Sequence, residues 1–401
     1  MKYIVILCDG MADEPLEALG GKTPLEAART VNMDLLAKDS EVGMVRTVPE
    51  GMAPGSDTAN LSVIGYDPRR YYTGRSPLEA LSIGAPMGPE DVSFRCNIVT
   101  LSEEEEKYED RHILDHSAGE ISTEEAAELI EALRIGLKRE GYTFYVGTSY
   151  RHLLIQKNGR VVELTAPHDI LTKRIGEYLP GDPVLREMME KSYDILKDHP
   201  VNVKRRAEGK NPANSAWFWG AGTRPALASF REKNGVNGAM ISAVDLLKGI
   251  AAGAGMHNIF VEGANGGLNT NYAGKADAAV KALTEDGFDF VYVHIEAPDE
   301  MGHQGSMEDK IRAIENIDEK IIGPVNDALD KADISYRMLI LPDHPTPIRV
   351  RTHTGDPVPY LLYDSTQKAA GPDTYSEKTG RETGIYEETG HHLMDHLLSV
   401  K

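Results

Sequence analysis

The chain has 401 residues, of which 41% are hydrophobic and 26% charged, which is ordinary for a soluble globular protein with room for two domains. The formal net charge of −20 argues against nucleic acid as a partner, because phosphate backbones require a basic surface. No apolar run is long enough to span a membrane, no secretory leader is evident, and two cysteines cannot form a disulfide framework. We therefore expect a cytoplasmic protein that has no membrane partner.

The chain opens with the apolar run 3–8, which ends at Asp9-Gly10 and predicts a buried parallel strand. Further on, residues 54–61 (PGSDTANL) predict a tight turn that enters a helix at Ser56. A serine there is commonly a helix cap, but the free N–H groups and the positive dipole end of a helix also suit a phosphoryl oxyanion. Ser56 is therefore a candidate nucleophile, provided that a base or a metal ion lowers the pKa of its hydroxyl.

The middle of the chain has a different pattern, with β-prone pieces, two amphipathic helices and an Asn-Gly turn at 158–159. The β-prone pieces are 92–101, 142–146, 152–157 and 160–164, and the helices are 123–140 and 183–197. The turn predicts a hairpin between the last two β-prone pieces. The whole pattern predicts an α+β domain at 86–205, inserted into a discontinuous core domain at 1–85 and 206–401.

After the predicted insert, apolar runs again alternate with helical patterns. The apolar runs are 288–295, 337–341 and 358–363, and the helical patterns are 242–252, 272–284 and 309–332. Gly323-Pro324 is expected to kink or interrupt the last helix. Strands that alternate with helices predict an α/β core domain whose sheet is largely parallel.

Acidic residues follow three of the predicted strands, and histidines accompany them. The acids are Asp9, Asp299 and Asp343, and the histidines are His303, His344 and His353. Because ligands collect at the carboxyl ends of parallel strands, we expect these side chains to converge on one rim. Carboxylates and imidazoles together are suitable ligands for divalent ions, with Mn²⁺ or Zn²⁺ the natural occupants.

The motifs that carry these residues are CDG, GSDTAN, PDEMGH, LPDH and RTHTGDPVP. Together with YYTGRSPLEA (71–80), ISAVDLLKGI (241–250) and NTNYAGKA (269–276), they resemble the cofactor-independent (2,3-bisphosphoglycerate-independent) phosphoglycerate mutases. The resemblance is to the short archaeal-type branch, within the alkaline phosphatase superfamily, and it covers nearly the whole chain. It implies an alkaline-phosphatase-like core and an inserted domain that grips the substrate.

The resemblance also implies roles for individual residues. Ser56 would be the phosphorylated nucleophile, and Lys248 would lie near the phosphoryl group. One metal ion would be held by Asp9, Ser56, Asp343 and His344, and the other by Asp299, His303 and His353. Such an enzyme is a glycolytic isomerase that converts 3-phosphoglycerate to 2-phosphoglycerate through phosphoserine. It would use two divalent ions, with Mn²⁺ expected and Zn²⁺ or Mg²⁺ as alternatives, and no 2,3-bisphosphoglycerate.

In the insert, the resemblance implies contacts between a small phosphorylated substrate and four residues: Asp115, His116, Arg151 and His152. Two of these, Asp115 and His116, lie in a segment that departs from the family pattern, where DHSAGE at 115–120 replaces Asp-Arg-x-Ala-Gly-Arg. His116 and Glu120 thus stand in place of two arginines, which clamp a carboxylate or phosphate as neither replacement can. Arg95, Arg111 and Arg151 are available to compensate.

The sequence leaves more than one function open. A phosphoglycerate mutase is the leading interpretation. A homoserine kinase, or another phosphotransferase or phosphatase acting on a small metabolite, would use the same serine and metal centre. The lost arginines favour this alternative, and the chain resembles a bacterial branch for which homoserine phosphorylation has been proposed. A catalytically silent metal-binding protein is disfavoured, because the nucleophile and every expected ligand are present.

Overall fold

A computed structural model describes residues 1–399, which divide into two compact units. We call residues 1–72, together with those from 227 onward, the core unit, and residues 73–226 the inserted unit. The inserted unit begins earlier and ends later than the segment 86–205 expected from the sequence. The reason is that helix 75–82 and strand 215–223 both pack with strand 92–101 of the inserted unit.

The described residues form thirteen strands, numbered in chain order. They are β1 (Lys2–Cys8), β2 (Glu41–Val45), β3 (Val92–Leu101), β4 (Ile113–Asp115), β5 (Tyr142–Thr148), β6 (Arg151–Gln156), β7 (Ser215–Thr223), β8 (Gly238–Ile241), β9 (His257–Ile259), β10 (Phe290–Ile295), β11 (Tyr336–Leu341), β12 (Val358–Asp364) and β13 (Tyr386–Glu387).

Sixteen α-helices accompany the strands within residues 1–399. They are α1 (Pro24–Ala27), α2 (Val31–Ala37), α3 (Ser56–Val63), α4 (Pro68–Tyr71), α5 (Arg75–Ser82), α6 (Thr123–Gly136), α7 (Pro183–Leu196), α8 (Pro200–Ala207), α9 (Phe230–Asn234), α10 (Asp245–Gly253), α11 (Tyr272–Thr284), α12 (Ala297–Gln304), α13 (Met307–Ile317), α14 (Gly323–Lys331), α15 (Glu377–Glu382) and α16 (Leu393–Leu398). None of the helices in this part of the chain is long and apolar enough to cross a bilayer.

The core unit is built on an eight-stranded sheet with the order β13-β2-β12-β11-β1-β10-β8-β9. Its strand pairs are parallel except those of β12, which runs antiparallel to both β11 and β2. Residues 4–8 of the central strand β1 are fully buried, as a strand covered on both faces requires. The predicted α/β core with a largely parallel sheet is therefore confirmed.

The inserted unit is a smaller α+β unit with an antiparallel sheet. Its long strand β3 pairs with β4, β6 and β7, and β5 extends the sheet beyond β6. Helices α6 and α7 bury their apolar faces on a core that includes Phe94, Ile98 and Trp217. Cys96 lies buried in this sheet, whereas Cys8 lies buried in the core sheet, and both thiols are free.

The predicted hairpin is wrong in its second strand, because residues 160–164 form no strand. Strand β6 already pairs with β3 on one side and with β5 on the other, so neither edge is free. The turn is used differently. The N–H of Gly159 donates to the carbonyl of Glu90 at 3.0 Å, and the N–H of Asn158 donates to Asp91 Oδ1 at 3.0 Å, which leads the chain away from β6.

The predicted helix 309–332 is interrupted, but the irregularity begins before Gly323-Pro324. A π-helical turn at Asp318–Ile322 separates α13 from α14. The Asp318 carboxylate accepts the N–H of Met33 at 2.7 Å, and it thereby joins this turn to the first turn of α2. An insertion of this kind is a recognised cause of local helix distortion.

Candidate active site

Strand order brings the predicted ligands to one edge of the core sheet. Strands β10, β1 and β11 lie side by side and run parallel, so their carboxyl ends meet at the same edge. Asp9 follows β1 directly, Asp299 lies in the first turn of α12 after β10, and Asp343 follows β11. His353 lies in the loop before β12, and because β12 is antiparallel to β11, its first residues lie at that edge as well.

Three of these side chains surround Ser56, the first residue of α3. Ser56 Oγ lies 3.4 Å from Asp9 Oδ2 and 3.2 Å from His344 Nε2. His344 Nε2 also lies 3.6 Å from Asp9 Oδ1 and 3.4 Å from Asp343 Oδ2. One ligand atom from each of Asp9, Asp343 and His344 lies within 4.8 Å of the others, a spacing that could hold a shared metal ion. We call Asp9, Ser56, Asp343 and His344 the serine-side group.

Asp299, His303 and His353 form a second set, which we call the histidine-side group. His303 Nε2 lies 3.2 Å from Asp299 Oδ2, and His353 Nε2 lies 3.4 Å from Asp299 Oδ1. The two imidazole Nε2 atoms are 3.0 Å apart. Ligand atoms of Asp299, His344 and His353 also lie within 4.8 Å of one another, so the two groups are contiguous at His344.

The serine-side group lacks positive charge of its own. Burial, followed by repulsion from Asp343 and Asp299, raises the pKa of Asp9 well above its ordinary value. Asp9 Oδ1 is buried and has no hydrogen-bond partner among the described residues. An orphaned carboxylate oxygen beside a second carboxylate and an imidazole has the donor chemistry that a divalent cation requires. These residues therefore fit a metal ion.

The histidine-side group balances its charges differently. Burial raises the pKa of Asp299, but hydrogen bonds from His303 and His353 outweigh that effect and hold the pKa well below its ordinary value. The same hydrogen bond to Asp299 raises the pKa of His303 to about 9. A proton on His303 therefore competes with a metal ion, since metal binding to histidine releases protons.

The Asp343 carboxylate is held in place by several donors. The N–H groups of Gly10 and His344 donate to Oδ1 at 3.1 and 2.9 Å, and Asn60 Nδ2 donates to Oδ2 at 2.9 Å. Gly10 has φ +62°, and a Cβ there would lie 2.6 Å from Asp299 Oδ1. The residue after the first aspartate must therefore be glycine for the rim to close.

In the inserted unit, two of the four predicted substrate residues, Asp115 and His152, make hydrogen bonds to nearby groups. Asp115 Oδ2 accepts the N–H of Gly119 at 2.6 Å and Asn211 Nδ2 at 2.8 Å, so it organises the turn after β4. His152 is 1% exposed, and its Nδ1 accepts the N–H of Gly147 at 3.1 Å. Burial lowers the pKa of His152 to about 4, which leaves the ring neutral.

The other two, His116 and Arg151, lie on either side of Tyr150. The ring centroids of His116 and Tyr150 are 5.7 Å apart, and the Arg151 guanidinium carbon lies 5.3 Å from the Tyr150 centroid. His116 also lies 6.1 Å, centroid to centroid, from His168, whose ring packs on Trp219 at 5.1 Å. His168 was absent from the sequence-based site.

Arg95 completes this neighbourhood. Its guanidinium lies over Trp219 at 4.2 Å, and its Nε donates to Glu79 at 3.0 Å, a carboxylate that Arg75 shares at 3.4 Å. Arg95 is only 7% exposed, yet within residues 1–399 its two Nη groups have no hydrogen-bond acceptor. Burial lowers the pKa of Arg95. The Glu79 carboxylate raises this pKa, and repulsion by Arg75 and Arg151 lowers it.

We call this set the cationic cluster, and its members are Arg75, Arg95, His116, Arg151 and His168. Arg111, the remaining arginine considered as a compensator, lies outside it. Its guanidinium stacks on Tyr193 at 4.0 Å and donates to the carbonyl of Ser102 at 2.7 Å. A backbone carbonyl thus occupies Nη1 of Arg111, while its Nε is buried with no hydrogen-bond partner among the described residues.

Comparison with known proteins places the chain in a family. The family model of 2,3-bisphosphoglycerate-independent phosphoglycerate mutase matches residues 37–202. A protein of that name from Methanothrix thermoacetophila is 48% identical over 402 residues, with 100% of both chains covered. The chain belongs to the 2,3-bisphosphoglycerate-independent phosphoglycerate mutase family.

Solved structures agree with that assignment. A protein from Pyrococcus horikoshii is 31% identical with a TM-score of 0.83, and the match covers 100% of this chain and 98% of the other. The cofactor-independent phosphoglycerate mutase from Thermoplasma acidophilum is 29% identical with a TM-score of 0.68, over 99% of this chain and 98% of that one. The structural match to these two proteins therefore includes both the core unit and the inserted unit.

Lys248 is the predicted site residue that the contacts do not join to the others. It lies on α10, where its Nζ is 3.3 Å from Asp245 Oδ1. Helix α10 packs against α3, the helix that begins at Ser56. A position of Lys248 near the phosphoryl group thus stays a prediction from the phosphoglycerate mutase family resemblance.

Three buried residues that contact the ligands were missing from the sequence-based site: Asn60, His294 and Thr346. Asn60 lies four residues after Ser56 in GSDTAN, so the helical period already placed it on the same face. Thr346 donates its hydroxyl to Asp299 Oδ1. His294 lies inside β10, and its Nε2 is 2.7 Å from Asp9 Oδ2. Burial lowers the pKa of His294 to about 3, so its imidazole is neutral.

Proposed function

We propose that this protein is a phosphoglycerate mutase, which interconverts 3-phosphoglycerate and 2-phosphoglycerate through a phosphorylated Ser56. One observation supports the proposal above all. In a member of this family, Ser56 Oγ lies at the start of a helix, 3.4 Å from a carboxylate oxygen and 3.2 Å from an imidazole nitrogen of a group that fits a metal ion. The reaction is an isomerisation of glycolysis.

We propose that two divalent ions are held by the two groups of the rim. The ligands would be Asp9, Ser56, Asp343 and His344 for one ion, and Asp299, His303 and His353 for the other. A mixed set of oxygen and imidazole ligands suits Mn²⁺ first, with Zn²⁺ or Mg²⁺ as alternatives. When bound, such ions lower the pKa of a hydroxyl and neutralise charge on a transferring phosphoryl group.

Ser56 would act as the nucleophile in both halves of the reaction. Its Oγ loses its proton and forms a bond to phosphorus while the bond from phosphorus to the glycerate oxygen breaks, and that oxygen gains a proton. After the glycerate turns, its other hydroxyl loses a proton and attacks phosphorus. The bond from phosphorus to Ser56 Oγ then breaks, and Oγ regains a proton. Asn60 and the N–H of Gly10 keep Asp343 fixed throughout, so little reorganisation is needed during transfer.

The cationic cluster supports a phosphoglycerate as the substrate. Phosphoglycerate carries a carboxylate as well as a phosphate, and a mutase must hold the glycerate while the phosphoryl group is on serine. The unpaired Nη groups of Arg95 are suited to an oxyanion, since guanidinium binds carboxylate and phosphate with two parallel hydrogen bonds. The inserted unit therefore retains an anion-binding set without arginines at His116 and Glu120.

The test is a set of parallel assays with purified protein and added Mn²⁺. We expect isomerisation of 3-phosphoglycerate without 2,3-bisphosphoglycerate, no turnover after chelation, and recovery when Mn²⁺ is returned. Rapid acid quenching should also give a phosphorylated peptide that contains Ser56, and the Ser56→Ala variant should not. ATP-dependent phosphorylation of homoserine without isomerisation would instead establish the kinase alternative, and release of phosphate alone would establish a phosphatase.

A cytoplasmic location, which the composition and the two free cysteines predict, belongs to this proposal and is testable by fractionation of cells.

A further inference from the structure

His294 connects a proposed metal ligand to a second, buried hydrogen-bonding group. Its Nε2 lies 2.7 Å from Asp9 Oδ2, and its Nδ1 lies 3.2 Å from Ser242 Oγ. A carboxylate that binds a metal ion is ionised and only accepts hydrogen bonds, so Nε2 is the ring nitrogen that donates to Asp9 in the metal-binding state. Ser242 Oγ accepts the N–H of Val244 at 3.0 Å, which leaves its own hydrogen for Nδ1.

These hydrogen bonds therefore all run in one direction, from Val244 through Ser242 and His294 to Asp9. The order of the sheet explains why they can. Strands β1, β10 and β8 are neighbours, Leu7 of β1 is paired with His294 of β10, and Ser242 directly follows β8. Asp9, His294 and Ser242 thus lie in or directly after three adjacent parallel strands, at the rim that carries the proposed metal ligands.

The backbone of His294 is fixed as well. Lys275 Nζ, on α11, donates to the His294 carbonyl at 2.8 Å, and the Lys275 side chain is fully buried. Burying an ammonium group costs free energy unless it makes good hydrogen bonds. Lys275 thus holds the main chain of His294 and Ser242 holds its ring, and neither residue is a proposed metal ligand.

The result is that the two oxygens of Asp9 differ. Oδ2 accepts the short hydrogen bond from His294, whereas Oδ1 is buried with no hydrogen-bond partner among the described residues. We infer that His294 is a positioning residue, which holds the Asp9 carboxylate so that Oδ1 is presented to a divalent cation in the serine-side group. The inference rests on the proposed function in one respect, namely that this group binds a metal ion.

This role predicts an effect on one metal site only. His294 makes its hydrogen bonds to Asp9 and Ser242, and within residues 1–399 it has none to Asp299, His303 or His353. Loss of a partner that orients a metal ligand typically weakens metal affinity by about 10–100-fold. We expect that loss at the serine-side group, with the histidine-side group unchanged.

The experiment titrates metal-free protein with Mn²⁺ and measures free Mn²⁺ by electron paramagnetic resonance, without any substrate. Wild-type protein should bind two ions. In His294→Leu one ion should bind as before, and the other about 10–100-fold more weakly. His294→Gln, whose amide can donate near the Nε2 position, should recover most of the affinity. Ser242→Ala should give a smaller loss in the same site, since the ring can then adopt the wrong tautomer.

His257 provides a matched control, because it is an exposed histidine on β9 of the same sheet that stacks on Phe288 at 5.5 Å. His257→Leu should leave both affinities unchanged. Equal affinities in wild type and in folded His294→Leu would overturn the inference, and so would equal weakening of both ions. If His294→Leu does not fold by circular dichroism, Ser242→Ala decides by the same criterion. Failure of the wild type to bind two ions would instead overturn the proposed function.

Discussion

In each unit the surroundings of one buried ionisable group disfavour its charged form, and the two groups carry opposite charges when ionised. In the core unit, burial and the neighbouring carboxylates raise the pKa of Asp9, and one of its oxygens has no hydrogen-bond partner within the described chain. In the inserted unit, Arg95 is 7% exposed, and burial lowers its pKa. Two further arginines lie near it, and among the described residues its carboxylate partner is Glu79.

Ionising a buried group without an opposite charge nearby costs roughly several kcal/mol. Such a group is therefore expected where a ligand supplies the opposite charge. The difference in sign indicates different ligands. The carboxylates of the core unit require a cation, and the guanidinium groups of the inserted unit require an anion. A metal-dependent enzyme with an anionic substrate would need one site of each kind, and the predictions below test whether the two sites can be impaired separately.

The largest expected effect separates chemistry from substrate binding. Ser56→Ala should reduce isomerisation of 3-phosphoglycerate to background, because no other group would accept the phosphoryl group. The helix should persist, since Gly55 is the residue that precedes α3 and Ser56 Oγ has no role as its cap. Calorimetry should still detect 3-phosphoglycerate binding, because the cationic cluster is intact. Near-normal turnover in this variant would contradict the phosphoserine mechanism.

The second prediction impairs the inserted unit and leaves the metal ligands intact. Arg95→Ala should lower kcat/KM for 3-phosphoglycerate about 10–100-fold, since a hydrogen bond to a charged group contributes about 1.5–3 kcal/mol. The change should lie mainly in KM, and two Mn²⁺ ions should still bind. Arg95→Lys should recover little, because lysine cannot reproduce the planar fork or the stacking on Trp219.

Arg111→Ala is the matched control for that experiment. Arg111 is a buried arginine of the same unit, but it stacks on Tyr193 and donates to Ser102. Its loss should lower the thermal stability and leave KM for 3-phosphoglycerate unchanged. If Arg111→Ala raised KM as much as Arg95→Ala did, the cationic cluster would not be the anion site.

The two units also differ in how much of their candidate sites could be predicted from the sequence. The proposed metal ligands Asp9, Asp299 and Asp343 follow buried apolar strands, and parallel pairing sends the ends of such strands to one edge, so their convergence could be predicted. His353 was expected with them from its place before the last strand. The antiparallel direction of β12, which brings that loop to the rim, could not be derived from the sequence pattern.

No comparable rule predicts which residues of the inserted unit come together. Arg75, Arg95 and His168 come from a helix, a strand and a short 3₁₀ helix (Pro167–Ile170), and only tertiary packing brings them together. Asp115 and His152 were carried over from the family resemblance. The Asp115 oxygens accept hydrogen bonds from nearby backbone and side-chain groups, whereas His152 Nε2 is buried with no partner among the described residues. The hairpin at 158–159 failed for a related reason, because an Asn-Gly turn predicts local geometry but not whether a sheet edge is free.

The third prediction concerns pH and the histidine-side group in metal-free protein. The hydrogen bond to Asp299 raises the pKa of His303 from 6.5 to about 9, so it stabilises the fold fully below pH 6.5, and this contribution is lost as pH rises through 9. The denaturant midpoint of metal-free protein should therefore fall between pH 6.5 and 9.5. The fall should be smaller in His303→Gln, which has no titrating ring.

Metal-loaded protein should show the opposite trend, because Mn²⁺ competes with protons for the same nitrogen atoms and binds more tightly as pH rises. An identical pH dependence of the midpoint with and without Mn²⁺ would show that His303 is not part of a metal site. The asymmetry between the two units would be unaffected by that outcome, since the serine-side group and Arg95 do not depend on His303.

The smallest expected effect comes from restoring the two arginines. His116→Arg adds a permanent charge beside His168 and Tyr150, but the new guanidinium is also repelled by Arg95 and Arg151. We therefore expect a gain in kcat/KM for 3-phosphoglycerate that stays below about tenfold, or about 1.4 kcal/mol.

Glu120→Arg should contribute still less, because residue 120 is exposed and its charge is screened by solvent. Glu124→Arg, at another exposed acid four residues further along, controls for the change in net charge and should have no effect. The homoserine alternative predicts the reverse, since Glu120 would then bind the ammonium group and its replacement would abolish phosphorylation of homoserine. A kcat/KM for isomerisation that rises in His116→Arg and is unchanged in Glu124→Arg would locate the substrate's negative charge at the cationic cluster. A fall in His116→Arg with Glu124→Arg unchanged would mean that the cluster already has the charge its ligand requires, so that an extra arginine only adds repulsion.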